Sequence, residues 1–183
     1  MTANSKKTTR RAFLSQTGLA AAGITVGASS VSPAGYSRII GANDKIRVGF
    51  IGVGNRGTQV MHEFMNEPDC EVAALCDVYE PYTLRDRSKV DPRYIEMVPR
   101  QVPQMGENFS DRVGKYKDYR KLLEDKSIDA VYIGTPDHWH ALQTIDAIKA
   151  GKDVYVEKPL TKSVHEGREI IRVWEQSSQV VAV

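Results

Sequence analysis

Apolar residues fall in short runs along this chain, and the runs alternate between two periods. Ile46, Val48, Phe50 and Ile51 lie close enough together to predict a strand buried on both faces. Val60, Met61, Phe64 and Met65 then recur at three- and four-residue spacing, the period of a helix. Residues 70–76, CEVAALC, read as a second strand, and residues 79–90 predict a short helix. The span 91–112 carries Pro92, Pro99, Pro103 and Gly106 with little periodicity. Order resumes with a short strand at 115–117, after which Asp118 caps a helix whose Leu122 and Leu123 face inward. Residues 129–134, DAVYIG, predict a buried strand. The helix after it spans 138–149, with Ala141, Leu142, Ile145 and Ile148 on one face and Gly151 closing it. Val154 to Val156 form the next strand. Ser163 and Glu166 make a capping box for a helix containing Ile170, Ile171 and Trp174, and residues 180–183 open a further buried strand. Strand and helix alternate from Lys45 onward, so the fold class is α/β, a doubly wound parallel sheet.

Charge and composition divide the chain before this region begins. Lys6, Lys7, Arg10, Arg11 and Arg38 occur in residues 1–40 without an acid, so of the formal net charge of +2, +5 sits there and the remainder is −3. That balance, with Trp139 and Trp174 scattered, gives no platform for nucleic acid. Residues 1–34 read as an export signal: Thr9-Arg10-Arg11-Ala12-Phe13-Leu14 resembles a twin-arginine motif, and an uncharged, mildly apolar run follows it to Ala34. Its composition argues against a stable membrane anchor. The expected organisation is therefore signal 1–34, linker 35–44 and a sheet domain 45–183, with the protein exported to the periplasm. Cys70 and Cys76 would lie on the order of 20 Å apart along one strand, too far to pair within a chain.

The first strand runs without a spacer into GVGNRG, a G-x-G-x-x-G with glycines at Gly52, Gly54 and Gly57 and with Asn55 and Arg56 between the last two. In such a loop the first glycine makes the tight turn, the second lets the backbone approach a pyrophosphate, and the third lets the helix pack on the sheet. The helix N-terminus then offers free N–H groups and a positive dipole end to phosphate. Asp77 ends the second strand 20 residues past Gly57, where a carboxylate would accept hydrogen bonds from an adenosine ribose. It would also repel a 2′-phosphate, which favours NAD over NADP. The cofactor expected is NAD.

Ligands of open parallel sheets collect beyond the carboxyl ends of the strands. Four clusters should meet there: the glycine loop, Asp77, Thr135-Pro136-Asp137-His138-Trp139-His140, and Glu157-Lys158-Pro159. His138 and His140 are two apart at a helix start and point to different faces, which argues against a metal pair. His62 and His165 read as solvated helix residues. The span 91–112 either folds over the adenosine side of the sheet or is a solvated insertion.

GFIGVGNRG, CDV, GTPDHWH and AGKDVYVEKPL stand together in the order and spacing of the glucose–fructose oxidoreductase / inositol dehydrogenase / MocA family, which the chain resembles from about Lys45 to Val183. The resemblance implies a Rossmann-type NAD(P)-binding half of an oxidoreductase acting on sugars, polyols or related carbohydrates. It implies that Lys158 lies near the nicotinamide and the substrate hydroxyl, where it would handle a proton as hydride leaves carbon, and that Thr135, Pro136, His138 and Glu157 contact the cofactor. Some relatives instead use a retained NAD to oxidise a sugar transiently and cleave its glycosidic bond, a second expectation. Family members continue into an α/β domain that supplies the substrate pocket and usually the oligomer contact. A chain ending at Val183 would lack these, the third expectation being a nucleotide-binding fragment without catalysis.

Overall fold

The computed structural model describes residues 45–183; the signal and linker expected at 1–44 lie outside the described residues. The elements run β1 (Ile46–Ile51), α1 (Asn55–Asn66), β2 (Cys70–Cys76), α2 (Glu80–Leu84), a 3₁₀ turn (Arg87–Lys89), α3 (Pro92–Met97), β3 (Gly114–Tyr116), α4 (Tyr119–Glu124), β4 (Ala130–Ile133), α5 (Asp137–Lys149), β5 (Asp153–Val156), α6 (Val164–Trp174) and β6 (Val181–Ala182). The strands form one sheet in the order β3-β2-β1-β4-β5-β6, with every neighbouring pair parallel. The chain steps outward from β1 to β3, then returns to β4 on the other side of β1. That reversal places a crevice at the carboxyl ends of β1 and β4, where doubly wound sheets hold their ligands.

Side-chain alternation along the central strands sorts the core into two layers. Val48 and Phe50 of β1, Leu75 of β2 and Tyr132 of β4 face one layer, while Ile51, Cys76, Val131 and Ile133 face the other. Strands buried on both faces read as continuous apolar runs, and Phe50, Leu75, Tyr132 and Ile133 are fully enclosed. The second layer is closed by α4, α5 and α6 through Leu122, Leu123, Ala141, Ala147, Ile148, Ile170 and Val173. Ser163 and Glu166 make the capping box anticipated for α6.

Three sequence expectations are corrected. The span 91–112 is not a solvated insertion: it contains α3, and its Val102 is buried, with Ile95, Met105 and Phe109 packed on the Phe50 layer beside α1. The inward stripe of α5 is His140, Ala141, Gln143, Thr144, Ala147 and Ile148, whereas Leu142 is exposed. His140 is accommodated on that face because its ring nitrogens meet backbone carbonyls of the adjoining loops, and Gln143 because its Oε1 accepts from the Thr135 hydroxyl. The strand at 180–183 is not buried: β6 is an edge strand with Val180 and Val183 exposed.

Candidate dinucleotide-binding site

The glycine loop leaves β1 through Gly52 at φ +86, in the left-handed region that L side chains resist. A Cβ there would also lie 2.8 Å from the Gly134 carbonyl carbon and the Thr135 nitrogen, so the loops after β1 and β4 touch through backbone. At Gly57 a Cβ would fall 1.8 Å from the Gly52 carbonyl oxygen; only glycine lets α1 sit this close to its own turn. Gly54 is different. Its nearest non-neighbouring atom would be Tyr82 Cε2 at 3.8 Å, leaving space beside its backbone. Gly54 is also the N-cap of α1, with no side-chain cap and no acid in the first turn, so free N–H groups and the dipole end face that space unopposed. A ledge with these properties fits a pyrophosphate.

Asp77 lies across this ledge at the end of β2. Its Oδ2 accepts a hydrogen bond from the Val53 N–H at 3.0 Å and its Oδ1 one from the Tyr79 N–H at 2.9 Å. Burial pushes its carboxyl above the ordinary range, opposed by those backbone donors. The carboxylate thus braces the glycine loop, a task the spacing argument did not reveal. Two oxygens with about four acceptor positions retain capacity for a ribose hydroxyl.

Asn55 and Arg56 reach to opposite sides. Asn55 Nδ2 donates to the Arg100 carbonyl at 3.0 Å, drawing the 98–103 stretch over the start of α1. Arg56 Nε donates to Glu157 Oε1 at 2.7 Å, and the Tyr132 hydroxyl donates to the same oxygen at 3.3 Å. The hydrogen bond it donates to Glu157 raises the Arg56 guanidinium further above its ordinary range. Glu157 is buried although Lys158 next to it is exposed. The glycine loop and the Glu157-Lys158-Pro159 loop are therefore joined by an ion pair.

The loop after β4 is tied in by its own helix. Thr135 Oγ1 donates to Gln143 Oε1 at 2.7 Å, and Pro136 is the N-cap of α5. His138 is exposed, with its Nδ1 3.7 Å from Asp137. His140 is buried instead, at 2% exposure, with Nε2 2.7 Å from the Thr135 carbonyl oxygen and Nδ1 2.7 Å from that of Pro159. Every residue expected from the sequence at this site thus lies at one edge of the sheet.

Two residues that sequence reading passed over support the same edge. Arg85 ends α2 at φ +55 with its side chain buried, and its Nη1 donates to the Val53 carbonyl at 3.2 Å and to Thr58 Oγ1 at 3.1 Å. Its Nε and Nη2 grip the Glu107 carboxylate at 2.8 and 2.9 Å. His62 pairs with the same carboxylate, so it is not the solvated helix residue expected. Burial alone would push the Glu107 carboxyl up, but the hydrogen bonds from Arg85 and His62 outweigh it and bring it down to about 2. An isolated Arg and an isolated Glu 22 residues apart carry no periodic signal; only folding pairs them.

A parallel sheet of this order, with an open glycine ledge, an uncapped helix N-terminus and an acid at the end of β2, defines an NAD(P)-binding Rossmann domain. Residues 46–183 match the Gfo/Idh/MocA family, described as an oxidoreductase family with an NAD-binding Rossmann fold. The chain belongs to that family. It is 34% identical over 184 residues to a glycosyl hydrolase family 109 protein of Shewanella baltica, and 34% identical over 183 residues to an alpha-N-acetylgalactosaminidase of Shewanella oneidensis. In both cases 93% of this chain aligns, spanning 38% of the relative's length. Among solved structures it resembles myo-inositol 2-dehydrogenase from Lactobacillus plantarum (TM-score 0.57, 21% identity, 76% of this chain and 36% of that one). It also resembles KijD10, a 3-ketoreductase from Actinomadura kijaniata in complex with NADP and TDP-benzene (TM-score 0.58, 25% identity, 75% and 36%).

Proposed function

We propose that this chain is the cofactor-binding portion of an NAD-dependent oxidoreductase acting on a CH–OH group of a sugar, polyol or related carbohydrate. The observation that carries the reading is the meeting of the glycine ledge, Asp77, Thr135 and Lys158 at one sheet edge, with Arg56–Glu157 linking the phosphate side to the lysine side. NAD, when bound, supplies the hydride acceptor. Gly54 and the first turn of α1 hold the pyrophosphate, with Asn55, Arg56 and Gly57 at its rim, and Asp77 holds the adenosine ribose. Thr135, Pro136, His138 and Glu157 border the nicotinamide end. Lys158 takes the hydroxyl proton as the C–H bond of the same carbon gives up hydride.

Asp77 supports NAD over NADP, because a carboxylate at the ribose opposes a 2′-phosphate. Calorimetric titration of the chain with both dinucleotides tests this. NAD should bind at least about tenfold tighter than NADP, and Asp77→Asn should narrow the gap. Equal binding by the unaltered protein would overturn the preference, and binding of neither would overturn the site.

A second reading is favoured by the names of the Shewanella relatives: a glycosidase that uses the same hydride and proton sites transiently. In the protein carrying this chain, hydrolysis of a chromogenic glycoside without added NAD supports it, whereas turnover strictly dependent on added NAD supports the dehydrogenase. We also infer export by the twin-arginine route, from Arg10-Arg11 and the uncharged run that follows. Replacing Arg10→Lys and Arg11→Lys together should hold the protein in the cytoplasm; unchanged export would refute it.

A further inference from the structure

Lys158 is exposed and sits on a loop, yet hydride and proton transfer need groups held to fractions of an ångström. The residues on either side of it are fixed. Glu157 is held by Arg56 and by the Tyr132 hydroxyl. The carbonyl of Pro159, one residue past Lys158, lies 2.7 Å from His140 Nδ1, and the other ring nitrogen of His140 lies 2.7 Å from the carbonyl of Thr135. One buried ring thus spans the loop after β4 and the loop after β5. The ring is nine-tenths and more enclosed and sits on α5, a 13-residue helix that packs on the sheet.

From this geometry we infer that His140 is a positioning residue for Lys158, setting the lysine loop against the Thr135 loop where the nicotinamide is proposed to bind. The inference rests on the function proposed above. A histidine that merely fills core space would be indifferent to which carbonyl it holds; a positioning residue is not. The two ring nitrogens can be separated by substitution, because an Asn amide falls near the Nδ1 position and a Gln amide near Nε2. The amide of His140→Asn can therefore donate to the Pro159 carbonyl but not to Thr135, while that of His140→Gln can donate to the Thr135 carbonyl but not to Pro159.

The test follows the lysine itself. The chain is reductively methylated with ¹³C-formaldehyde, the Lys158 signal is assigned by its loss in Lys158→Arg, and its NMR shift is followed as NAD is added. In the unaltered protein the Lys158 signal should move as NAD saturates. His140→Gln should bind NAD within about threefold of the unaltered protein and yet lose at least about half of that shift response, which His140→Asn should retain. A folded Gln variant with the full response, or a folded Asn variant without it, overturns the inference, and either variant alone suffices. If NAD binds but the unaltered Lys158 signal stays still, the placement of Lys158 beside the nicotinamide falls. If NAD does not bind at all, the cofactor reading falls first.

Discussion

Glu107 is the charged residue that ties Arg85 and His62 together. It sits among Arg85, whose side chain is 1% exposed, and His62, and it keeps the 98–112 stretch against α1. Its carboxyl lies at about 2 against an ordinary 4.5. A depressed folded value means the contribution is fully present above about 4.5 and is lost as pH falls toward 2. The difference corresponds to about 3 kcal/mol, similar to the cost of stranding one member of a buried ion pair. Urea unfolding of Glu107→Gln should show that loss at pH 7 and a weaker acid limb below pH 4.5; an unchanged midpoint would mean the pair contributes nothing. At this scale spacing alone located Gly52, Gly54 and Gly57 at the turn into α1 and Asp77 at the end of β2. It was a poor guide to Arg85, Glu107 and His140, because their partners are remote in sequence or are backbone carbonyls. His140 stood in a motif already singled out, and the signal available was its four-residue spacing from Thr144 on the buried face of α5.

Among the elements, the turn from β1 into α1 separates two roles that one motif conceals. Gly57→Ala would place a methyl 1.8 Å from the Gly52 carbonyl oxygen, so α1 must lift from the sheet. Gly54 has φ −66, which alanine accepts, and open space in place of a neighbour. Gly54→Ala should therefore cost no more than about 1 kcal/mol, the loss expected of an N-cap glycine, while losing more than about tenfold in dinucleotide affinity. Gly57→Ala should lose both stability and affinity. Thermal melts with NAD titration check the pair; equal destabilisation by the two would mean the space at Gly54 is not a ligand site. The elements themselves were readable from period and caps, with the start of α5 shifted by a residue to Asp137, whereas the single helix expected over 79–90 is divided into α2 (Glu80–Leu84) and a 3₁₀ turn. Residues 91–112 were not readable, because α3 is only six residues long and its burial comes from isolated positions such as Val102 rather than from a repeat.

For the whole domain, protection should follow the order of the sheet. β1 and β4 lie at its centre, each flanked by strands on both sides, while β6 pairs only with β5. Amide exchange should be slowest at Phe50, Ile51 and Tyr132 and fastest among the strands at Val181 and Ala182. Comparable exchange at β4 and β6 would contradict the topology.

The sequence by itself determined the alternating α/β architecture, the glycine turn and its acid, and the family. These are properties of neighbouring residues, where hydrophobic period, turn chemistry and fixed spacing act locally. Only the tertiary structure decided that Arg56 grips Glu157, that Asp77 braces the loop it was expected to serve, and that His140 joins the loops after β4 and β5. Those contacts depend on strands distant in sequence becoming neighbours, and on buried polar groups finding partners once water is excluded.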